Sequence, residues 1–528
     1  MMKKNIKWLL LFLLFVFCIG LKLYIVYFGY INYHYIVPPG YDAIPHLNLI
    51  NNLASSSWGY PKLFHYIAHY LSDLTHRDPF YILTYWTPTM IILPSLSIFF
   101  LLKQIFNLKT AGIATLFFLF TSNYPLYGFV DGNYPNILAY GFFAVLCIAF
   151  IIKYINTKKL FYLYISALFY ILTGLTHHFS FAELNGILLL SLITMAITRQ
   201  IKLPKLRFNV RNYSTLFLSL LLLYFLFIIY KIYGSQYISF FTGLISNKSV
   251  IQDAYLSQAV QYYRYPDIVG SLIWYGGTLG LFYMIITFSK SQKKDYTKLI
   301  LFVWIILIYS LSRLPSSGLP ERFARELAVP LIICFAYLIN RLINHLDHLE
   351  LNRLSIIFGY GFIIYFIIIN SSLYNPALLD SLPNSFSGMV WYDQSDQGKS
   401  DYIKNNFSSD QSIYINPYAN PYMKLMTKAN LVDFSLSAIN IDTYGKKKSS
   451  KKEKQDIINY DNMIKSLTKD NRGKVFYIFS KPESNPDGIV YPIFGGYDAY
   501  NDIMRDMVKD QKVIHKFIDS SFIMKIEK

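Results

Sequence analysis

Carboxylates, imidazoles and guanidinium groups gather in a few short stretches of this sequence. The chemistry they could do is proton transfer, cation binding and anion binding. The first stretch is Pro38-Pro39-Gly40-Tyr41-Asp42-Ala43-Ile44-Pro45-His46. Prolines and a glycine stiffen the backbone around Asp42. A carboxylate held there could act as general base on an acceptor hydroxyl or amide, or bind a cation. The same Asp42 could instead cap the helix that opens near Pro45. His65, His69 and Asp73 follow at i, i+4 and i+8. Neutral imidazoles at that spacing can hold zinc, although Tyr66 and Tyr70 beside them also fit a plain interfacial helix. His177 and His178 close an apolar block at a tight turn, where an imidazole either touches substrate or simply prefers the interface. Last come Arg313, Glu321, Arg322, Arg325 and Glu326. Two arginines three residues apart at a helix start offer two forks to a phosphate. The alternative is a local salt-bridge cluster among Arg322, Glu326, Arg325 and Glu321.

The elements that must position these groups are membrane spans. Of 528 residues, 54% are apolar and only 15% charged, against roughly a quarter charged in an average soluble domain. That excludes a soluble enzyme, a disordered tail and a coiled coil. The apolar residues come in blocks of about 20, enough to cross a hydrocarbon core. Spans are expected near 8–29, 80–102, 111–130, 134–152, 160–176, 180–198, 215–233, 269–289, 298–314, 326–342 and 354–374. Lysines and arginines fall on alternate connectors: Lys3, Lys4 and Lys7; Lys103 and Lys109; Lys153, Lys158 and Lys159; Arg199 to Arg211; Lys290 to Lys298; Arg341 and Arg353. By the positive-inside rule the N-terminus is cytoplasmic, and an odd number of spans puts the C-terminal region outside. The first span keeps Lys22 in its middle and lacks an A-x-A cleavage site, so it reads as a retained anchor.

The expected fold is thus an α-helical polytopic membrane protein of about eleven spans with a C-terminal extracytoplasmic α/β domain. Its parts are a transmembrane domain over 1–374, with a first outer loop at 30–79, and a soluble domain over 375–528. The loop holds helix-like stretches at 45–56 and 61–73. The tail alternates strand-like runs (Ser412–Asn416, Lys474–Ser480) with helical ones (Asp401–Asn405, Asp502–Lys509) and carries a lysine-rich loop at Lys446–Lys454. The formal charge of +18 sits mostly on these connectors and that loop, so it does not indicate nucleic-acid binding. Cys18, Cys147 and Cys334 all lie in apolar blocks, which leaves no disulfide framework. Metalloprotease, nucleophile-elbow and EF-hand motifs are absent; Gly398-Lys399-Ser400 lacks the upstream glycine of a P-loop, and Gly276-Gly277-Thr278-Leu279-Gly280 reads as helix packing. The acids Asp42, Asp131 and Glu183 lie on connectors expected outside, where they would line a cavity or a solvated loop surface.

Taken together, these stretches resemble the GT-C superfamily of integral-membrane glycosyltransferases, which includes protein O-mannosyltransferases, the lipid A aminoarabinose transferase and oligosaccharyltransferase catalytic subunits. Asp42-x-x-x-His46 matches the family's first-loop acidic motif, and Tyr60-Pro61-Lys62-Leu63-Phe64-His65 its continuation. Asp131-Gly132-Asn133-Tyr134-Pro135-Asn136 stands where a second acidic motif is expected, and Glu321-Arg322-Phe323 is similar to the late Arg-Phe segment. The resemblance implies an inverting transfer of a sugar from a polyprenyl-phosphate-linked donor to a glycan, lipid or protein acceptor at the outer membrane face. Asp42 would be the general base, and Arg322 or Arg325 would hold the lipid phosphate. Asp131 and His46 would shape the acceptor site, His177 and His178 would touch substrate, and Asp42 with Asp131 could hold a divalent cation. Trp391-Tyr392-Asp393 matches the oligosaccharyltransferase Trp-Trp-Asp motif only loosely, and Asp131 lies upstream of the family's acid. Those departures favour transfer of a monosaccharide. The competing class is a non-catalytic scaffold or transporter of envelope lipid or polysaccharide, for which inverted repeats and midplane charges would be expected.

Overall fold

A computed structural model gives the architecture. It describes residues 15–24, 42–53, 60–197, 259–290, 295–317 and 319–348, then 394–415, 429–433, 464–478, 511–517 and 522–527, with a few isolated positions besides. The spans expected at 215–233 and 354–374, the ends of the 8–29 span, the lysine-rich loop and Trp391-Tyr392-Asp393 lie outside the described residues, as does nearly all of Asp502–Lys509.

The N-terminal part is helical. In chain order it comprises α1 (Phe15–Tyr24), α2 (Ala43–Asn51), α3 (Leu63–Thr75), α4 (Pro79–Ile105), α5 (Leu108–Thr121), α6 (Tyr124–Val130), α7 (Tyr134–Thr157), α8 (Leu160–Thr176) and α9 (His178–Ile197). It continues with α10 (Tyr262–Val269), α11 (Ser271–Lys290), α12 (Tyr296–Arg313), α13 (Pro320–Glu326) and α14 (Ala328–His348). Local sequence sets several starts. Asp78 takes the Phe80 N–H at 2.8 Å ahead of Pro79, and Asn107 takes the Thr110 N–H at 2.9 Å. Asp295 opens α12 in the same way, each side chain satisfying an otherwise orphaned amide.

Among the described residues five helical stretches are long and apolar enough to cross a bilayer: α4, α7, α9, α12, and 320–346, which joins α13 to α14. The pair α10 and α11, bent by 112° at Gly270, makes a sixth if counted as one. Leu189, Leu192, Ile193 and Ile197 on α9, and Tyr275, Leu279, Phe282 and Ile286 on α11, are exposed bands such as lipid would cover.

Two expected spans differ from what is seen. The block 111–130 is two helices, because Ser122 leaves α5 extended and Pro125 starts α6 afresh. The span expected from 269 begins only after the bend. Gly270 takes φ +103°, and a Cβ there would fall 2.0 Å from the Thr121 carbonyl oxygen, so the break needs glycine. In α7 the stretch Ile137–Ala144 is π-helical. The Gly276-Gly277-Gly280 run does pack helices. A Cβ on Gly280 would lie 2.1 Å from the Cys334 carbonyl oxygen, so α11 and α14 meet backbone to backbone.

The chain divides into two compact units, residues 1–29 with 45–378, and residues 30–44 with 379–528. In the second, α15 (Gln394–Asn406) precedes a five-stranded sheet of β1 (Ser412–Ile415), β2 (Asn430–Asp433), β3 (Val475–Ile478), β4 (Lys512–Lys516) and β5 (Phe522–Lys525). The order is β2-β1-β3-β5-β4, parallel from β2 to β3 and antiparallel thereafter. Ile413, Ile415, Tyr477 and Ile523 are buried on one face of the sheet and Phe476 and Met524 on the other, and Tyr402 of α15 stacks on His515 at 3.9 Å.

Candidate active site

Four segments of the first unit meet at one end of the bundle: α2 and α3, the α6–α7 turn, the α8–α9 junction, and α13. His46 and His65 are buried against each other, with Nδ1 of His46 3.0 Å from Nε2 of His65, so one ring donates and the other accepts. Tyr60, Phe64 and Tyr134 pack around His46, and Trp86 stacks on Phe64 at 5.3 Å. Burial pushes the His46 imidazole down to about 3. It pushes His65 down to about 2, with the neighbouring His46 adding to the effect. Both rings are neutral. The zinc face expected of His65, His69 and Asp73 does not form, because about 100° per residue carries position i+8 some 80° past two full turns. His65 turns inward while His69 and Asp73 pair with each other at 3.6 Å on the exposed side.

His177 ends α8 in an extended conformation. The Ser180 N–H donates to its Nδ1 at 3.2 Å, so that nitrogen carries the lone pair. The Ser180 hydroxyl lies 2.9 Å from the same atom. Arg322 brings Nη2 to 3.1 and 3.0 Å of the two His177 ring nitrogens and rests against the Phe179 ring at 5.5 Å. Burial, reinforced by that guanidinium, holds His177 well below the usual imidazole range. His178 stacks on His177 with centroids 5.3 Å apart, and Tyr60 presents its ring to both. The expected substrate histidines are therefore gathered with His46 and His65 around one tyrosine.

Arg325 pairs with Asp131 across the bundle, and with Glu321 at 3.2 Å one turn back. Glu321 also takes Arg264 of α10 at 3.2 Å. Burial pushes the Asp131 carboxyl up, and Arg325 opposes that. So the two arginines do not form a paired fork. Arg325 is taken by two carboxylates, the salt-bridge alternative for this segment. Arg322 has one carboxylate, Glu326, at 3.5 Å, and otherwise faces His177. The donor set at Asp131 does not fit the divalent cation expected there. Its carboxylate is already bound to Arg325, and among the described residues no three His, Cys, Asp or Glu side chains gather.

Behind this layer lies a polar network that joins Glu326 to residues given no role by the sequence. Asn136 donates to Glu326 Oε1 at 2.8 Å and to Ser180 at 3.0 Å. Trp304 Nε1 donates to the Tyr140 hydroxyl at 2.9 Å, which in turn donates to the Glu326 carbonyl at 3.3 Å. The available signal was polarity inside an apolar block: Asn136 and Tyr140 begin a span, where an unpaired amide or hydroxyl is costly. Glu183, expected to line a cavity, is buried beside Glu326. Asp42 is exposed, immediately precedes α2, and falls in the second compact unit.

No family model matches the sequence, and no curated protein matches it. Solved structures do. ArnT from Cupriavidus metallidurans in the apo state superposes with a TM-score of 0.58 at 11% identity, over 99% of this chain and 98% of that one. The same protein bound to undecaprenyl phosphate gives 0.56 at 11%, over 96% and 97%. The Archaeoglobus fulgidus oligosaccharyltransferase gives 0.52 at 13% identity; the match covers 81% of this chain and only 65% of that enzyme's length. At such identities the likeness is one of fold, and the fold of this chain is that of the GT-C glycosyltransferases.

Proposed function

We propose that this protein transfers a sugar from a polyprenyl-phosphate-linked donor to an acceptor at the extracytoplasmic face of the cell membrane, with inversion at the anomeric carbon. The observation that carries the reading is Arg322. It is the guanidinium at the α8–α13 meeting point that a single carboxylate leaves partly uncommitted, in a fold shared with a protein solved with undecaprenyl phosphate bound.

In this reading Asp42 takes the proton from the acceptor hydroxyl or amide as that oxygen or nitrogen forms its bond to the anomeric carbon. The bond from that carbon to the phosphate oxygen breaks, and the departing phosphate keeps the electron pair. Arg322 stabilises the charge developing there, a contribution that grows in a dry site. His177, neutral and held by Ser180, and His178 shape the sugar pocket with Tyr60. His46 supports that wall through His65. Arg325 holds Asp131, which places the α6–α7 turn for the acceptor. The departures in the second acidic motif favour a monosaccharide as the group transferred.

The test is native mass spectrometry of lipid retained by the full chain, compared with Arg322→Met. Retained polyprenyl phosphate, reduced about tenfold or more in the variant, is expected from loss of a charge-assisted bidentate contact. Ordinary phospholipid alone, equal in both proteins, would remove the reading. Asp42→Asn should keep the lipid and lower transfer by about 10²–10⁴-fold, the usual share of a general base.

A further inference from the structure

Arg322 and His177 meet in a way that their own hydrogen bonding does not explain. The Ser180 N–H donates to His177 Nδ1 at 3.2 Å, so that nitrogen holds a lone pair. The Ser180 hydroxyl lies 2.9 Å from the same atom. Its direction is set from behind by Asn136, which donates to the Ser180 oxygen at 3.0 Å and to Glu326 Oε1 at 2.8 Å. With its oxygen receiving from Asn136, Ser180 points its proton at Nδ1. Two donors from one residue thus occupy the single lone pair of the ring. An imidazole whose Nδ1 accepts is neutral and carries its one proton on Nε2.

Arg322 Nη2 stands 3.1 Å from Nδ1 and 3.0 Å from Nε2. Neither serves it as an acceptor. Nδ1 is already taken twice, and the proton on Nε2 finds no lone pair on a guanidinium. Two donors therefore converge, 3.0 Å apart, without an acceptor between them. Among the described residues the only carboxylate recorded against Arg322 is Glu326, at 3.5 Å from Nε, beyond the usual hydrogen-bond range. An oxygen that accepts from both groups would complete the arrangement, and an anionic phosphate oxygen suits it best.

We infer that His177 donates its Nε2 proton to the same phosphate oxygen that Arg322 binds, and so shares in holding the leaving group. This role goes beyond lining the pocket, and it rests on the sugar-transfer reading of Arg322. No proton changes hands. The imidazole stays neutral and donates a hydrogen bond while the bond from the anomeric carbon to phosphate breaks. His177 is 2% exposed and the Phe179 ring flanks the guanidinium at 5.5 Å. Donors kept this dry act strongly on a developing negative charge.

The full chain in lipid nanodiscs is titrated with undecaprenyl phosphate and, separately, with undecaprenol, which keeps the chain and lacks the phosphate. The wild type is expected to prefer the phosphate. His177→Asn keeps a polar atom near Nδ1 but none at the reach of Nε2, and should cut that preference about tenfold. His177→Gln, whose amide nitrogen can reach the Nε2 position, should restore most of it. A role in packing alone would move both lipids together. A preference equal in the wild type and His177→Asn overturns the inference, and so does His177→Gln losing as much while binding undecaprenol normally. Arg322→Met, run alongside, separates the two levels. If it loses the preference while His177→Asn keeps it, only the His177 donor falls. A wild type with no preference removes the phosphate reading itself.

Discussion

Arg325 reaches Asp131 across 194 positions of sequence, and through that contact the turn after α6 is fixed to the helix that leads into α14. Glu321 braces the same guanidinium from one turn away, and Arg264 braces Glu321. Removing the cation therefore breaks two ion pairs, although Glu321 keeps Arg264, while removing Asp131 breaks one and leaves Arg325 with Glu321. Breaking a buried pair from one side costs about 3–5 kcal/mol. These groups are only partly buried, so Arg325→Met should cost roughly 2–3 kcal/mol and Asp131→Asn roughly half that. Thermal midpoints of the two variants in detergent check the order. Equal losses would mean that Glu321 does not share the load.

The His46–His65 pair makes stability depend on acid. Both rings stay neutral in the folded protein, at about 3 and about 2, whereas an unfolded histidine takes a proton near 6.5. The unfolded state therefore binds more protons below that value. The stabilisation from the pair is complete above about pH 6.5 and falls as pH drops toward 3, by about 1.4 kcal/mol per unit for each ring. A pH series of unfolding midpoints on the wild type and on His65→Phe should show a shallower slope in the variant. Identical slopes would place the acid sensitivity elsewhere.

Two glycines should respond in opposite directions. Gly112 lies inside α5 with open space where a Cβ would go, so Gly112→Ala should stabilise by about 0.5–1 kcal/mol. Gly280 abuts the Cys334 carbonyl, and Gly280→Val should cost roughly 2–3 kcal/mol or more because the backbone must move. Size-exclusion profiles and midpoints of both variants test this pair.

Trp304→Phe removes the donor to Tyr140 while keeping most of the ring. It should cost about 2 kcal/mol, the net worth of one hydrogen bond plus the space left by the smaller ring at a fully buried position. If the chain from Trp304 through Tyr140 to the Glu326 carbonyl acts as a unit, Tyr140→Phe in the Trp304→Phe background should add less than it costs alone.

What could be read from the sequence was whatever local pattern controls. Apolar blocks gave α4, α7, α8, α9, α11 and α12 within a few residues, and α8 runs from Leu160 to Thr176 as expected. Breaks that depend on tertiary contact were not visible. Nothing near Thr121 announces that Gly270 will press on its carbonyl, and nothing in 111–130 shows that Pro125 restarts a helix instead of bending one. In the site, Arg322 and Arg325 look equivalent at i and i+3. They part company because Asp131, far away in sequence, claims one of them. Asn136 stands at the end of the second acidic stretch with no role assigned to it, Ser180 carries no motif, and only the crossing of α7, α9 and α13 makes them partners.

The seam between α11 and α14 has a mechanical consequence. With the Gly280 backbone against the Cys334 carbonyl there is no layer of side chains on which the two helices could slip. They behave as a single plank, with Glu321, Arg322 and Arg325 mounted at the head of α14 and latched to α10 through Arg264. Any opening of the bundle beside this seam cannot come from parting these two helices. The joint in the bundle lies elsewhere, where His177 breaks α8 from α9 and where α3 is held by the His46–His65 hydrogen bond together with aromatic contacts.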